Sequence, residues 1–287
     1  MKQEPPLIRP MKLADLPSLM RLKNAEGWNQ TEADWCLFIG YDSSVNLVAV
    51  LGETIVGSVT AINYANDVVW IGMMLVDKNY RGRGISKLLL KQVLEQMQHC
   101  RSIKLDATPA GYPVYRKFGF MDELRLSRMT HPSVAGFPEP GRSHVVKPID
   151  SQVISEIFDY DQSVFGARRE KLLTGLYRQA PELGWYIRDA GGICGYSLGR
   201  NGSRFIQIGP VSASSGEGAL VLMGAALKLV KGKACVLDLH NAKEEVGLWL
   251  QQAGFSAQRE FIRMYLESNP LPGKISRQFL ICGPEFG

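Results

Sequence analysis

Arg81-Gly82-Arg83-Gly84 stands between an apolar run (68–76) and an amphipathic run (85–97). The first N–H groups of a helix have no acceptor within the helix and lie at the positive end of its dipole. Glycines let this backbone approach a ligand without a Cβ in the way. Such a junction binds anions, phosphate above all, and an arginine fork matches two phosphate oxygens. A basic turn that merely joins a strand to a helix is the alternative that two glycines alone leave open.

Two common phosphate-binding motifs do not fit this cluster. The Walker loop needs GxxxxGK[ST], which the sequence lacks. A dinucleotide-binding loop needs a third glycine and follows a first parallel strand, whereas this cluster comes after several segments typical of antiparallel strands. The cluster is therefore a different kind of anion site or only a turn.

The elements around the cluster alternate between strand-like and helix-like patterns. A short strand (7–10), two helices (14–27 and 31–41) and three β-rich segments precede it, and a helix, a strand, a short helix and a strand follow. This order predicts an α/β fold with a mixed, α+β type of sheet. A Pro- and Gly-rich stretch then indicates a linker. We predict domains at 1–130 and 145–287, with the linker at 131–144.

The second half repeats the first, which predicts an internal duplication. KLDA (104–107), GF (119–120) and Arg128-Met129 are matched by VLDL (236–239), GF (254–255) and Arg263-Met264, about 135 residues later. The second copy lacks the chemistry of the first, because Ser215, Glu217 and Leu250 replace Arg81, Arg83 and Tyr115. A carboxylate at the phosphate position would repel pyrophosphate. We expect a degenerate second domain that shapes the acceptor pocket or forms a homodimer surface.

Composition limits the class of protein. The 287 residues carry a formal net charge of +5, which favours an anionic ligand, but no run of basic residues suggests nucleic acid. The apolar stretches are shorter than the roughly 18 residues of a membrane span, and the N-terminus has no apolar signal region. Five scattered cysteines without a CxxC pair predict neither a disulfide framework nor a zinc site. We expect a cytoplasmic protein without a metal.

The run Val76-Asp77-Lys78-Asn79-Tyr80-Arg81-Gly82-Arg83-Gly84-Ile85-Ser86, with YRKFGF (115–120) downstream, resembles the GNAT acetyltransferase superfamily. The likeness covers the whole first half, with Ser86 where glycine or alanine is usual. It implies that acetyl-CoA is the cosubstrate, with its pyrophosphate held by Arg81, Gly82, Arg83, Gly84, Ile85, Ser86 and Lys87. It also implies that the pantetheine arm lies in a splay between the fourth and fifth strands, against Met74, Leu75 and Val76.

The same resemblance implies direct attack of an amine on the thioester, with Tyr115 as the general acid. The alternative for Tyr115 is a packing aromatic, and Tyr112 is a reserve candidate. Many GNAT proteins use a glutamate on the fourth strand as the base, but here that strand has no ionisable residue. Asp106 ends the fifth strand and is expected to be structural, so the general base stays unassigned.

Four residues are candidates for substrate contacts. Trp28 and Asn29 lie in the helical region that roofs the acceptor pocket in GNAT folds, although core packing or capping would explain them as well. Asp161 and Arg169 lie in a segment similar to that of a bacterial subgroup with tandem GNAT-like domains, and an exposed ion pair is their alternative.

Two hypotheses follow from the sequence. One is an acetyl-CoA-dependent N-acetyltransferase that acts on a small-molecule amine. The other is a non-catalytic acyl-CoA-binding sensor or interaction module. Arg81, Gly84 and Tyr115 together favour the first, because a retired site would be expected to lose the acid. The amine and the acyl chain length are not identified by the sequence.

Overall fold

The computed structural model describes residues 5–41, 44–141 and 144–287. Within these residues the first half forms β1 (Leu7–Pro10), α1 (Leu16–Ala25), α2 (Glu32–Tyr41), β2 (Leu47–Leu51), β3 (Thr54–Tyr64), β4 (Val68–Val76), α3 (Ile85–Met97), β5 (Ser102–Ala107), α4 (Tyr112–Lys117) and β6 (Phe120–His131). The second half forms β7 (Lys147–Pro148), α5 (Ile154–Phe165), α6 (Glu170–Gln179), β8 (Trp185–Asp189), β9 (Gly192–Asn201), β10 (Ile206–Ala213), α7 (Gly216–Leu229), β11 (Cys235–His240), α8 (Glu244–Gln252), β12 (Ser256–Leu266) and β13 (Gln278–Leu280).

These strands form one mixed sheet in the order β1-β2-β3-β4-β5-β12-β6-β11-β13-β10-β9-β8-β7. The order of elements through β6 recurs from β7 to β12, which confirms the tandem α/β fold. Helices α1, α2, α5 and α6 contribute to one hydrophobic core. Leu89, Leu90 and Val93 of α3 belong to another. The sheet therefore separates the helices that follow β1 from the helix that follows the glycine cluster.

Each half gives its last long strand to the other half. Strand β12 lies beside β5, where Arg263 is the register partner of Asp106, and β6 lies beside β11, where Arg128 is the register partner of Asp238. Arg128 Nε donates to Asp238 at 2.7 Å, and Arg263 Nε donates to Asp106 at 2.9 Å. The duplicated residues thus pair across the copies. The predicted boundary near residue 130 divides the sequence but not the sheet.

The two copies differ where their fourth and fifth strands diverge. In the second copy, β10 and β11 pair only at Ile206↔Cys235 and Gln207↔Val236. Beyond that point β13 lies between them, since Leu280 pairs with both Val211 and Leu239. The chain's own strand fills the wedge of the second copy, which is a structural reason for its degeneracy.

The described part of the predicted linker packs against the second half. Strand β6 continues through His131, one residue into the predicted range. Val134 is buried and its N–H donates to the Lys233 carbonyl at 3.0 Å. Trp249 Nε1 donates to the Pro138 carbonyl at 2.9 Å. Residues 142 and 143 of the predicted linker lie outside the described residues.

None of the helices formed by residues 5–41, 44–141 and 144–287 is both long and apolar enough to cross a membrane.

Candidate active site

A cavity of about 460 Å³ opens where β4 and β5 part. Their parallel pairing runs from Val68↔Ser102 to Ile71↔Leu105. At Met73 the backbone of β4 has φ +46°, and its register with β3 shifts there. Such a bulge bends a strand and re-aims its backbone. The bulge therefore turns the end of β4 away from β5 and leaves its edge facing the cavity.

The predicted pantetheine contacts lie on this edge. Met74, Leu75 and Val76 line the cavity, while Leu75 and Val76 pair with β3 on their other side. The N–H and C=O groups that face β5 are thus available to an extended ligand, as at any unpaired strand edge.

The glycine cluster forms one end of the cavity. Gly82 and Gly84 have φ of +77° and +79°, a left-handed conformation that favours glycine, and α3 begins at Ile85. A Cβ at either glycine would meet no heavy atom within 4 Å. Gly82, Gly84, Ile85 and Ser86 line the cavity. The backbone is therefore open to a ligand at the helix N-terminus, as an anion site requires.

The predicted cations of the cluster are placed differently from one another. Arg81 lines the cavity, but its guanidinium donates to Glu26 and to the Val76 carbonyl. Arg83 lies over the Tyr80 ring at 4.9 Å, and neither Arg83 nor Lys87 lines the cavity. Both side chains are exposed outside the cavity, so their contact with phosphate stays a prediction.

Tyr115 reaches the cavity from α4. Its side chain is 8% exposed and its ring meets the edge of Phe120. Burial raises the pKa of Tyr115 to about 12, so the hydroxyl keeps its proton at neutral pH. The reserve candidate Tyr112 instead donates to exposed Asp122 at 3.2 Å, outside the cavity. Of the two tyrosines, Tyr115 lines the cavity and Tyr112 does not.

Asp106 lines the cavity but is not a free base. Both of its oxygens accept from Arg263, at 2.9 and 3.1 Å. Burial raises the pKa of this carboxyl, while the Arg263 charge opposes that effect. Asp106 is structural, as expected, although it joins two strands rather than capping a turn.

The four predicted substrate contacts divide between two places. Trp28 lines the cavity. Asn29 does not, because its amide is bonded to the β9–β10 hairpin: Nδ2 donates to the Phe205 carbonyl, and Oδ1 accepts from the N–H groups of Arg204 and Phe205. The prediction that Asn29 contacts the substrate is corrected, because the Asn29 side chain forms hydrogen bonds between the first half and the second.

Asp161 and Arg169 are also removed from the cavity lining. Arg169 donates through two nitrogens to Asp161, at 2.7 and 3.0 Å, and through a third to the Gly287 carbonyl at 2.9 Å. Both side chains are buried, so neither an exposed ion pair nor a substrate contact describes them. They hold the segment 281–287 against the first half, where Tyr64 and Trp70 donate to its carbonyls.

That segment brings a carboxylate that sequence reasoning missed. Glu285 lines the cavity, beside β4. A Cβ at Gly72 would come within 2.8 Å of the Glu285 Cα, so the missing side chain of Gly72 makes room for the segment. The resemblance to GNAT proteins implied a glutamate within β4, whereas this one is more than 200 residues away along the chain. Other missed lining residues are Gln30, Arg128, Arg259 and Phe261.

Glu285 belongs to a buried charged group. Arg200 pairs with Glu285 and, at 2.5 Å, with Asp34. Burial opposes the ionisation of Glu285, but Arg200, with help from Gln30 and Arg128, lowers its pKa below the usual range. Glu285 is therefore a carboxylate at neutral pH. Asp34 and Glu285 share the Arg200 guanidinium, while the buried Lys23 also acts on Asp34 and Arg128 acts on Glu285.

Gly72→Ala tests the placement of the segment. Since the added Cβ would overlap the Glu285 backbone, we expect the free energy of unfolding in urea to fall by about 1–3 kcal/mol, as for other overpacked sites. Gly40→Ala is the control, because Gly40 lies in α2 with no neighbour within 4 Å of an added Cβ. Equal stability of Gly72→Ala and the wild type would contradict this packing.

No group of three or more His, Cys, Asp or Glu side chains arranged to hold a metal ion is found in the described parts of the chain.

Comparisons with known proteins agree with this geometry. The family model described as "Acetyltransferase (GNAT) family" matches residues 14–120, and that described as "Acetyltransferase (GNAT) domain" matches residues 157–280. The chain is 25% identical over 251 residues to the holothin acyltransferase of Pseudoalteromonas sp. (strain SANK 73390), covering 86% of this chain and 83% of that protein. It therefore belongs to the GNAT acetyltransferase superfamily and carries two GNAT domains in tandem. Acyl transfer is the class of reaction that these relatives support.

Solved structures show the same fold. A presumed acetyltransferase from Pyrococcus horikoshii superposes with a TM-score of 0.82 at 22% identity, covering 100% of this chain and 98% of that one. A tandem GNAT protein from the clavulanic acid biosynthesis pathway superposes with a TM-score of 0.61 at 13% identity, covering 92% of this chain and 99% of that one.

Proposed function

We propose that this protein is an acetyl-CoA-dependent N-acetyltransferase acting on a small-molecule amine. The observation that carries the proposal is the continuous cavity that joins three features: the open helix N-terminus at Gly84, the unpaired edge of β4 and the buried hydroxyl of Tyr115. These features fit the parts of acetyl-CoA, because the helix N-terminus suits its pyrophosphate and the strand edge suits the amides of its pantetheine arm. Acetyl-CoA supplies an acetyl group activated as a thioester.

In the proposed reaction the acceptor nitrogen attacks the thioester carbon directly, within a ternary complex. The carbon–sulfur bond breaks, the sulfur takes the Tyr115 proton, and the proton lost by the amine returns to Tyr115 through water. A backbone N–H on the edge of β4 stabilises the oxyanion, a type of contact worth about 3–4 kcal/mol. Tyr115 is suited to the acid step because its raised pKa keeps it protonated.

The proposal places the reaction in the first domain only. In the second copy β13 lies where the strand edge would be open. Ser215 caps α7 by accepting from the Gly218 N–H at 3.1 Å, and Leu250, at the position of Tyr115, is buried and apolar. The second domain instead supplies Arg259, Phe261 and Glu285 to the cavity.

Gly84→Ala tests the cosubstrate site. We expect the Kd for acetyl-CoA, measured by isothermal titration, to rise at least tenfold, since the Cβ would stand in the space for phosphate. Gly52→Ala is the matched control: Gly52 also has positive φ and open space around a Cβ, but it lies in the β2–β3 turn. Both changes share the backbone penalty of about 1–2 kcal/mol for a left-handed residue. Equal affinity in the two variants would contradict the site.

Release of free thiol from acetyl-CoA over a panel of small amines distinguishes the proposal from its alternative. Amine-dependent release would support the transferase. Tight, Gly84-dependent binding without release for any amine would support a non-catalytic acyl-CoA sensor or interaction module.

A further inference from the structure

Two charged residues in the cavity have no role in binding acetyl-CoA as proposed. Glu285 lies in the segment 281–287. Arg259 lies on β12, three residues before Ile262, where the pairing of β12 with β5 begins. Both belong to the second half of the chain, whereas the glycine cluster and Tyr115 belong to the first. They therefore lie on the part of the cavity wall that is formed by β12 and the segment 281–287.

The surroundings of Glu285 favour a cation. Glu285 is 3% exposed, and its partner Arg200 is shared with the buried Asp34. The buried Lys23 also acts on Asp34, and Arg128 acts on Glu285, so the charges around this group nearly balance. Glu285 is nevertheless a carboxylate that lines the cavity, and a carboxylate there attracts a ligand group of positive charge. A protonated amine has that charge and donates the hydrogen bonds that a carboxylate accepts.

The surroundings of Arg259 favour an anion. Its guanidinium lies over the Phe261 ring at 5.7 Å, and none of the ion pairs found among the described residues includes Arg259. The neighbouring guanidinium of Arg128 is occupied by Asp238. Burial, and then the charge of Arg128, lower the pKa of Arg259, and the charges of Asp238 and Glu26 oppose that effect only in part. An incoming anion would offset the remaining cost of holding the charge there. An arginine fork matches a carboxylate in two hydrogen bonds.

We infer that the acceptor is a small amino acid or a similar zwitterion, with its amine beside Glu285 and its carboxylate on Arg259. This inference rests on the proposed function for the attack on the thioester, before which the bound ammonium gives one proton to water. The binding of the zwitterion is a separate property of the two residues. Phe261 and Trp28 supply the apolar part of the wall.

The test compares matched ligands: free α-, β- and γ-amino acids, each beside its carboxamide, which keeps the amine and removes the negative charge. For at least one pair we expect wild-type kcat/KM to be at least tenfold higher for the acid. Arg259→Gln should remove that preference by raising KM for the acid, with kcat and the values for the amide nearly unchanged. Arg125→Gln is the matched control, since Arg125 lies on the neighbouring β6, exposed and paired with Glu260.

Equilibrium binding provides a second readout that does not need turnover. Isothermal titration of the same pairs, with CoA present, should show that Arg259→Gln weakens only the acid at least tenfold. Glu285→Gln, which keeps the shape of the side chain, should weaken the acid and the amide alike. Thermal unfolding of each variant shows whether the fold is retained, and the Arg259 result stands even if Glu285→Gln is unstable.

The outcomes separate the two proposals. Equal use and equal binding of acids and amides by the wild type, an equal loss for both in Arg259→Gln, or no binding of any amino acid would overturn the zwitterion site. Charge-dependent binding without thiol release for any acceptor would overturn the proposed transferase and leave the zwitterion site in place.

Discussion

Tyr115→Phe is expected to lower kcat by about 10²–10⁴-fold, the range typical of a lost general acid. The ring stays in place against Phe120, so the Kd for acetyl-CoA should change little. Single-turnover measurement of thiol release is the suitable assay, because it isolates the chemical step from product release. The wild type should also show no loss of rate as the pH rises past about 10, the ordinary pKa of tyrosine, because burial raises the pKa of Tyr115 to about 12.

Tyr112→Phe is the matched control for this prediction. It removes a hydroxyl from the same helix, but that hydroxyl is bonded to exposed Asp122 outside the cavity. We expect its rate to equal that of the wild type. If Tyr115→Phe kept more than half of the wild-type single-turnover rate, Tyr115 would be a packing residue and water would protonate the sulfur.

Asp238→Asn is expected to cost about 3–5 kcal/mol of the free energy of unfolding, the usual effect of breaking a buried ion pair from one side. In the wild type Asp238 accepts two hydrogen bonds from Arg128. The change leaves Arg128 charged and buried between β6 and β11 without that carboxylate. Urea unfolding, with the m-value as a check on two-state behaviour, measures the loss.

Two further variants make this stability prediction specific. Arg128→Met combined with Asp238→Leu should recover part of the loss, because neither partner of the ion pair is then left charged without the other. The recovery should be incomplete, since Gln207 Nε2 loses its acceptor and Glu285 loses the nearby charge of Arg128. Glu260→Gln breaks the exposed Arg125–Glu260 pair between β6 and β12, and it should change stability little. A small loss in Asp238→Asn, similar to that of Glu260→Gln, would mean that the exchanged strands are not joined by this pair.

Much of the first domain was readable from the sequence because its signals are local. Gly82 and Gly84 stand between one strand and the helix that follows it, so the signal for that junction lies within a few consecutive residues. Tyr115 lies in a short motif on a helix that follows directly from β5. The duplicated segments around Asp106 and Asp238 also revealed the tandem order, and the structure confirms it.

The rest of the site was decided by tertiary structure. The sequence shows which segments are strands but not which strands become neighbours. Backbone N–H and C=O groups can pair between any two strands, and the side chains that select the partner lie far apart in the chain. Three features depend on which strands and segments become neighbours. They are the exchange of β6 and β12, the position of β13 between β10 and β11, and the course of the segment 281–287. These features bring Arg259 and Glu285 to a cavity whose other wall is about 200 residues away in sequence. They also turn Asp161 and Arg169 inward, where charge pairing and burial give them a structural role.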